Sequence, residues 1–382
     1  MGIGDEITLL ELDRDPDPIL ARMRAEEPVC WVPSLNMWLV TRWDDVAHVE
    51  AHPELFTAAT DPSFLARALG PNMLTLDPPG HSVLRDVFLP PFQAGGRSGS
   101  FVATELPRLT DDLIDAIDST PFDLMVEYAQ PLAAGSLAVV LGLDHHGFDR
   151  MWSWCEGLCA DIANFENDPE LTALGELAKA DLGVALEARI EAAGGGDSAI
   201  DWFVREGATV TEIVNNVRLM ISGGINEPRD GIGLVVWVLL TRPDLRAAVA
   251  AEPKSLRRLV EEVFRLFSPV GTVTRQATED VELAGVRIGR GELVSGVLRS
   301  VNLDDDRWTD PTEIDLRRRE GTHAAFALGV HRCLGEWLGR QVVRVGVERL
   351  LARFPAMALA PDHEVDIHGF EFRGPRELWL TV

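Results

Sequence analysis

Residues 326–351 read FALGVHRCLGEWLGRQVVRVGVERLL, and the fold is decided by how this stretch is understood. Cys333 stands between Gly329 and Gly335, just ahead of an amphipathic pattern that predicts a helix over about 334–353. A cysteine at the start of a helix faces the positive end of the dipole and free backbone N–H groups. Both favour a thiolate over a thiol. The flanking glycines let the backbone come close to a large flat ligand. Phe326 is placed to pack on such a ligand, and His331 and Arg332 add positive charge. Taken alone, Cys-Leu-Gly reads as an inert buried thiol.

The wider spacing says more. Phe326, Gly329, His331, Cys333 and Gly335 together resemble the haem-binding signature of the cytochrome P-450 family. The resemblance runs from about residue 15 to the C-terminus. It implies a mainly α fold with small β-sheets: one large haem-enclosing domain over 15–382, after an N-terminal lead of 1–14. It also implies haem b (iron protoporphyrin IX), with the Cys333 thiolate as metal ligand and Phe326, His331 and Gly335 as cofactor contacts.

Upstream segments fall in the matching order. Glu262 and Arg265, at i,i+3 in EEVFRLF, are able to pair on one helix face. They resemble the family's structural helix pair, whose third member comes from a later loop. In VNLDDDRWTDPTEIDLRRR (301–319) the usual cation position holds Glu313, so Arg307 or Arg317 is expected to substitute. Haem propionates are anions and require cations or donors. LDPPGHSVLRDVF (76–88) resembles the stretch that supplies His81 and Arg85, and SPVGTVTRQATEDVEL (268–283) the strand that supplies Arg275. With His331 these give four expected propionate partners.

LMISGGINEPRDGIG, within a helix expected over 210–240, resembles the family's central helix above the haem but departs from it. Gly223 and Gly224 fit. The acid position holds Asn226, the alcohol position holds Glu227, and Pro228 follows. Asn226 and Glu227 are the catalytic candidates. Proline removes a donor and clashes with the preceding turn, so a kink or widening is expected. A carboxyl group relays protons when burial lifts its pKa towards working pH. Otherwise Glu227 turns aside to Arg229 or another cation, and Asp230 reads as a surface or packing residue.

The resemblance places substrate above the haem, against Phe64, Leu65, Met73, Met220, Ile221, Gly224, Val270, Val273 and Phe370. These are mostly apolar, so a small hydrophobic or aromatic substrate is expected. Plain core is the alternative for most of them. Arg332, Arg340, Arg344 and Arg317 to Arg319 suggest a basic patch for an acidic iron–sulfur ferredoxin, served by its own reductase. The implied activity is a monooxygenase that uses dioxygen to hydroxylate or O-dealkylate. A peroxide-using or oxidative-coupling enzyme of the same fold, motivated by Asn226-Glu227, and a non-catalytic haem sensor stand as alternatives.

Composition sets outer bounds. The chain has 382 residues, 46% hydrophobic and 25% charged, enough for a large core. Its net charge of -26 argues against nucleic-acid and anionic-membrane surfaces. MGIGDEITLLELDRD lacks a basic n-region and an apolar run, which predicts a cytoplasmic protein. Cys155 and Cys159, at helical spacing with no second ligand pair, read as buried thiols rather than a zinc site. Helices are expected over about 15–27, 43–52, 81–92, 101–118, 121–142, 146–164, 170–193, 198–206, 243–250 and 254–267, with a hairpin at 28–43 and strands over 272–300.

Overall fold

The longest element is a helix, Val210–Thr241, in a computed structural model that describes residues 2–382. It begins at the capping box that the sequence spells. The Glu212 amide donates to Thr209 Oγ1 at 3.3 Å, and the Thr209 amide donates back to Glu212 Oε2 at 2.8 Å. These bonds satisfy donors that a helix start leaves free. Ile213, Val217, Ile221, Ile225, Ile232 and Val236 are buried around it, as befits a helix enclosed by protein on most sides. Helices Gln130–Leu141, Phe148–Ile162, Leu256–Phe267 and Glu336–Arg353 pack against it. The helix continues through Pro228. No break or π turn interrupts it there, although an interior proline costs about 3 kcal/mol.

Beside the helices lies a sheet of five short strands, in the order Val29–Val32, Met37–Val40, Leu293–Val297, Thr272–Ala277 and Phe56–Thr57. The first two form the expected hairpin, in register Val29↔Val40 to Val32↔Met37. Asn36 closes it at φ 53°, a left-handed conformation that asparagine tolerates. Met37–Val40 runs parallel to Leu293–Val297, and the other pairs are antiparallel.

Two expected helices divide. The pattern over 101–118 is two helices, Arg97–Thr104 and Leu106–Asp115, with Pro107 in the first turn of the second. The pattern over 121–142 resolves into a strand at Phe122–Asp123, a widened π turn at Met125–Ala129 and a helix at Gln130–Leu141. Pro131 lacks the donor needed to continue an ordinary ladder backwards. Residues 3–14 carry a 3-10 turn and a helix, Leu9–Arg14, whose Ile3, Ile7 and Leu12 are buried against the hairpin. Among the described residues no helix is long and apolar enough to cross a membrane.

Candidate functional site

An interior cavity of about 320 Å³ lies between the central helix, the loop that precedes Glu336–Arg353, the 58–74 segment and the strand Thr272–Ala277. Cys333 opens onto it. The loop reaches this position by doubling back: the Cys333 amide donates to the Phe326 carbonyl at 2.9 Å. Ala327 and Gly329 turn the chain at φ 59° and 63°. At Gly329 a Cβ would stand 2.6 Å from the Glu50 carbonyl oxygen, so only glycine fits. Phe326 is wedged edge-on to Phe264 with the Arg340 guanidinium 4.0 Å over its ring.

The sulfur is not tuned as the sequence suggests. The helix starts at Glu336, beyond Cys333. Burial pushes the Cys333 thiol up to about 11, outweighing the Gly335 backbone hydrogen bond and the Arg85 charge. The protein alone therefore keeps a thiol here, and a coordinated metal cation is what deprotonates such a group.

The four expected propionate partners converge beside this loop. His81, on the helix Gly80–Phe88, meets His331 edge to face, with ring centroids 4.3 Å apart. Both nitrogens of both rings are buried without a hydrogen-bond partner. Each such orphan costs about 1–3 kcal/mol unless a ligand satisfies it. Burial lowers both pKa values, His331 to about 3, so both rings are neutral. Arg85 donates to the Arg332 carbonyl at 2.7 Å, and Arg275 is held by Glu50 at 2.7 Å. One cavity-facing sulfur, two orphaned imidazoles and two guanidiniums fit a flat, dianionic, iron-bearing group.

On the opposite wall, Gly223, Gly224, Glu227 and Pro228 face the cavity. Glu227 Oε2 is buried and unpartnered. Burial pushes the carboxyl up to about 8, with Asp230 and Glu371 adding repulsion. It does not turn to Arg229, which pairs with Asp230 at 2.7 Å and stacks over Trp152 at 4.9 Å. Asn226 corrects the sequence reading. It is absent from the cavity wall, and its Nδ2 donates to Asp230 Oδ2 at 3.3 Å. One residue is about 100° of helix, so Asn226 and Glu227 cannot both face the iron side. Asp230 is itself buried and pushed up to about 6 by burial, a core group rather than a surface one.

Phe64, Leu65, Met73, Met220, Gly224, Val270 and Val273 line the cavity. Ile221 and Phe370 do not. Ile221 is turned one helical step from Met220 into the core, and Phe370 packs with Ile3, Leu12 and Met37. Its neighbours Glu371 and Phe372 line the cavity instead. The bridge between Val270 and Phe372 sets that register. Glu371 accepts a hydrogen bond from Thr272 Oγ1 at 2.6 Å, and burial pushes it up to about 8.

The Glu262–Arg265 pair forms, at 2.9 Å. Its third member is Arg318, neither Arg307 nor Arg317. Arg318 Nε lies 2.9 Å from Glu262 Oε2, while Arg307 stacks on Trp43 at 4.7 Å. A turn closed by the Arg318 amide on the Asp315 carbonyl, at 3.0 Å, swings residue 318 back over Glu262. The run of three arginines at 317–319 was the available signal, but only the turn selects among them. Cys155 and Cys159 are buried thiols, each donating to the Ser222 carbonyl, at 3.6 and 3.4 Å.

A family model described as cytochrome P450 matches residues 246–370. The chain is 33% identical to cytochrome P450 107B1 of Saccharopolyspora erythraea over 95% of each protein. It is 32% identical to the cytochrome P450 monooxygenase PikC of Streptomyces venezuelae, over 90% of this chain and 85% of that one. The ligand-free structure of cytochrome P450 TbtJ1 superposes with a TM-score of 0.87 at 28% identity, covering 97% of this chain and 98% of that one.

Proposed function

The chain belongs to the cytochrome P450 family, and from that premise we propose that it hydroxylates or O-dealkylates a small hydrophobic or aromatic molecule with electrons from a separate iron–sulfur ferredoxin. The enzyme is a haem b monooxygenase, an oxidoreductase that incorporates oxygen from dioxygen. Bound haem supplies the redox centre at which dioxygen is reduced and an oxygen atom is inserted into substrate.

The chain's own residues divide the remaining work. Cys333 would hold the iron as a thiolate. His81, Arg85, Arg275 and His331 would take the propionates, which answers the orphaned imidazoles. Phe64, Met73, Met220, Val270 and Val273 exclude water and orient an apolar substrate. Glu227 holds a proton at its unpartnered oxygen and passes it into the cavity. Its pKa of about 8 suits that task. For the electron donor, a groove of about 770 Å³ beside Arg332 is lined by Arg257, Arg258, Arg319, Arg340 and Arg344, interleaved with Glu261 and Glu336. This is a local reversal on a chain of net charge -26, suited to an acidic partner.

The observation that carries the proposal is an unpartnered carboxyl oxygen, Glu227 Oε2, facing the same cavity as Cys333. Turnover with a ferredoxin, its reductase and NADPH is the expected result. Product formed only with hydrogen peroxide would replace it with the second reading, in which the same carboxyl accepts and returns a peroxide proton. Absence of the red-shifted Soret band in the reduced carbon-monoxide form would remove Cys333 as the ligand.

A further inference from the structure

We propose that the wall of the cavity formed by Val270, Thr272, Glu371 and Phe372 is a seat for a protonated amine, so that the substrate is an apolar or aromatic body carrying a basic nitrogen held by the Glu371 carboxylate. The inference rests on the monooxygenase reading and narrows its substrate class.

Glu371 is half-buried, and the cavity is the space it faces. One oxygen accepts the Thr272 hydroxyl at 2.6 Å. No other hydrogen bond from a described residue reaches its carboxyl group. The turn does not need this side chain for its shape. The Gly271 amide donates to the Glu371 main-chain carbonyl at 2.8 Å, and the Arg373 amide donates to the Pro269 carbonyl at 2.8 Å. Gly271 permits the approach, because a Cβ there would lie 1.8 Å from the Phe370 carbonyl oxygen.

The cations near the turn are committed elsewhere. Arg373 donates to the carbonyls of Asp13, Gly369 and Ile367 at 3.0–3.1 Å, and Arg299 is held by Asp17 and by the Leu266 and Phe267 carbonyls. The cationic side chains on the cavity wall, Arg85 and Arg275, stand with His331 around the cofactor's place. The other acid on the wall, Glu227, repels Glu371 rather than neutralising it.

A carboxyl group in an apolar chamber is costly to ionise without a counter-ion. A ligand ammonium supplies that counter-ion and forms a charge-assisted hydrogen bond. A hydrocarbon of the same shape gains neither. The recognised chemistry is therefore a cation at one end of an apolar body.

The test uses purified holoenzyme and a matched pair of probes, N,N-dimethyl-4-phenylbutylamine and its hydrocarbon isostere (5-methylhexyl)benzene. Affinities are read by equilibrium dialysis, and the binding mode by the Soret band, at about pH 8.5, where the amine is still protonated and Glu371, at about 8, is ionised. The amine is expected to bind at least ~tenfold more tightly than the hydrocarbon, as a charged hydrogen bond warrants. Glu371→Gln, which keeps an acceptor for Thr272, should abolish the preference while hydrocarbon affinity stays within about twofold. Glu227→Gln should retain the preference. Equal affinities in the unaltered enzyme would overturn the proposal, as would a preference that survives E371Q. A red-shifted low-spin Soret band in both proteins would also overturn it, because the nitrogen would then be on the iron. In each of these failures, hydrocarbon binding and the carbon-monoxide spectrum would leave the monooxygenase reading standing.

Discussion

A carboxyl group that keeps its proton near neutrality can act as both donor and acceptor, and Glu227 is such a group by virtue of its surroundings. Its pKa is raised from the ordinary 4.5 to about 8 because burial disfavours the anion. Glu227→Gln keeps the shape and removes the titration. We expect product formed per NADPH consumed to fall several-fold, measured as coupling in the ferredoxin system. Unchanged coupling would remove the proton role. The same substitution has a stability signature. Folding favours the protonated form, so the group's contribution is fully present below 4.5 and is lost as pH rises through about 8. The melting temperature of E227Q relative to the unaltered protein should therefore climb between pH 5 and pH 9. A flat difference would contradict the burial. Glu227 was legible in the sequence because a motif numbers the positions around it. Glu371 was not, since it sits in an irregular turn where no period tells which of the side chains 370 to 372 face the cavity.

Helices and the hairpin were legible as elements because buried faces repeat every 3.6 or 2 residues. What ties them together was less so. The segment from 302 to 328 has no period at all, and it is pinned by Glu262, Arg265 and Arg318, whose side chains are 7%, 1% and 7% exposed. Removing Arg318 leaves Glu262 paired with Arg265 but strips it of a buried charge-assisted hydrogen bond, at a cost of about 1.5–3 kcal/mol. Arg318→Ala should lose about that much in chemical denaturation and should yield protein with depleted haem. Arg317→Ala should change stability by less than about 0.5 kcal/mol, the norm for a surface site. If the two behaved alike, the assignment of the third member would be wrong. Pro107 and Pro131 likewise re-cut two expected helices, a local effect that averaged periodicity hides.

At the scale of the whole molecule, charge is distributed rather than merely abundant. A chain of net charge -26 gathers arginines around one groove next to the Cys333 loop. Arg344, held at 2.8 Å by Glu348 near the helix surface, belongs to it. If an acidic ferredoxin docks there, its reduction of the enzyme should slow as ionic strength rises past the point where the screening length falls to about 8 Å. Arg344→Ala should lower the second-order rate several-fold at low salt and little at high salt, read by stopped-flow spectroscopy. Salt-independent rates would place the electron donor elsewhere.

The helix Leu9–Arg14 and the turn at residues 369–372 are moored to one another. Asp13 accepts from the Phe370 amide at 2.7 Å through Oδ1, and its carbonyl accepts from the Gly369 amide at 2.8 Å. The turn that carries Glu371 is thus steadied by the helix Leu9–Arg14. A protease that clipped the molecule ahead of Ile19 would slacken that mooring and leave the sulfur loop intact. A partly nicked sample would then show two affinities for a single compound under one unchanged absorption maximum.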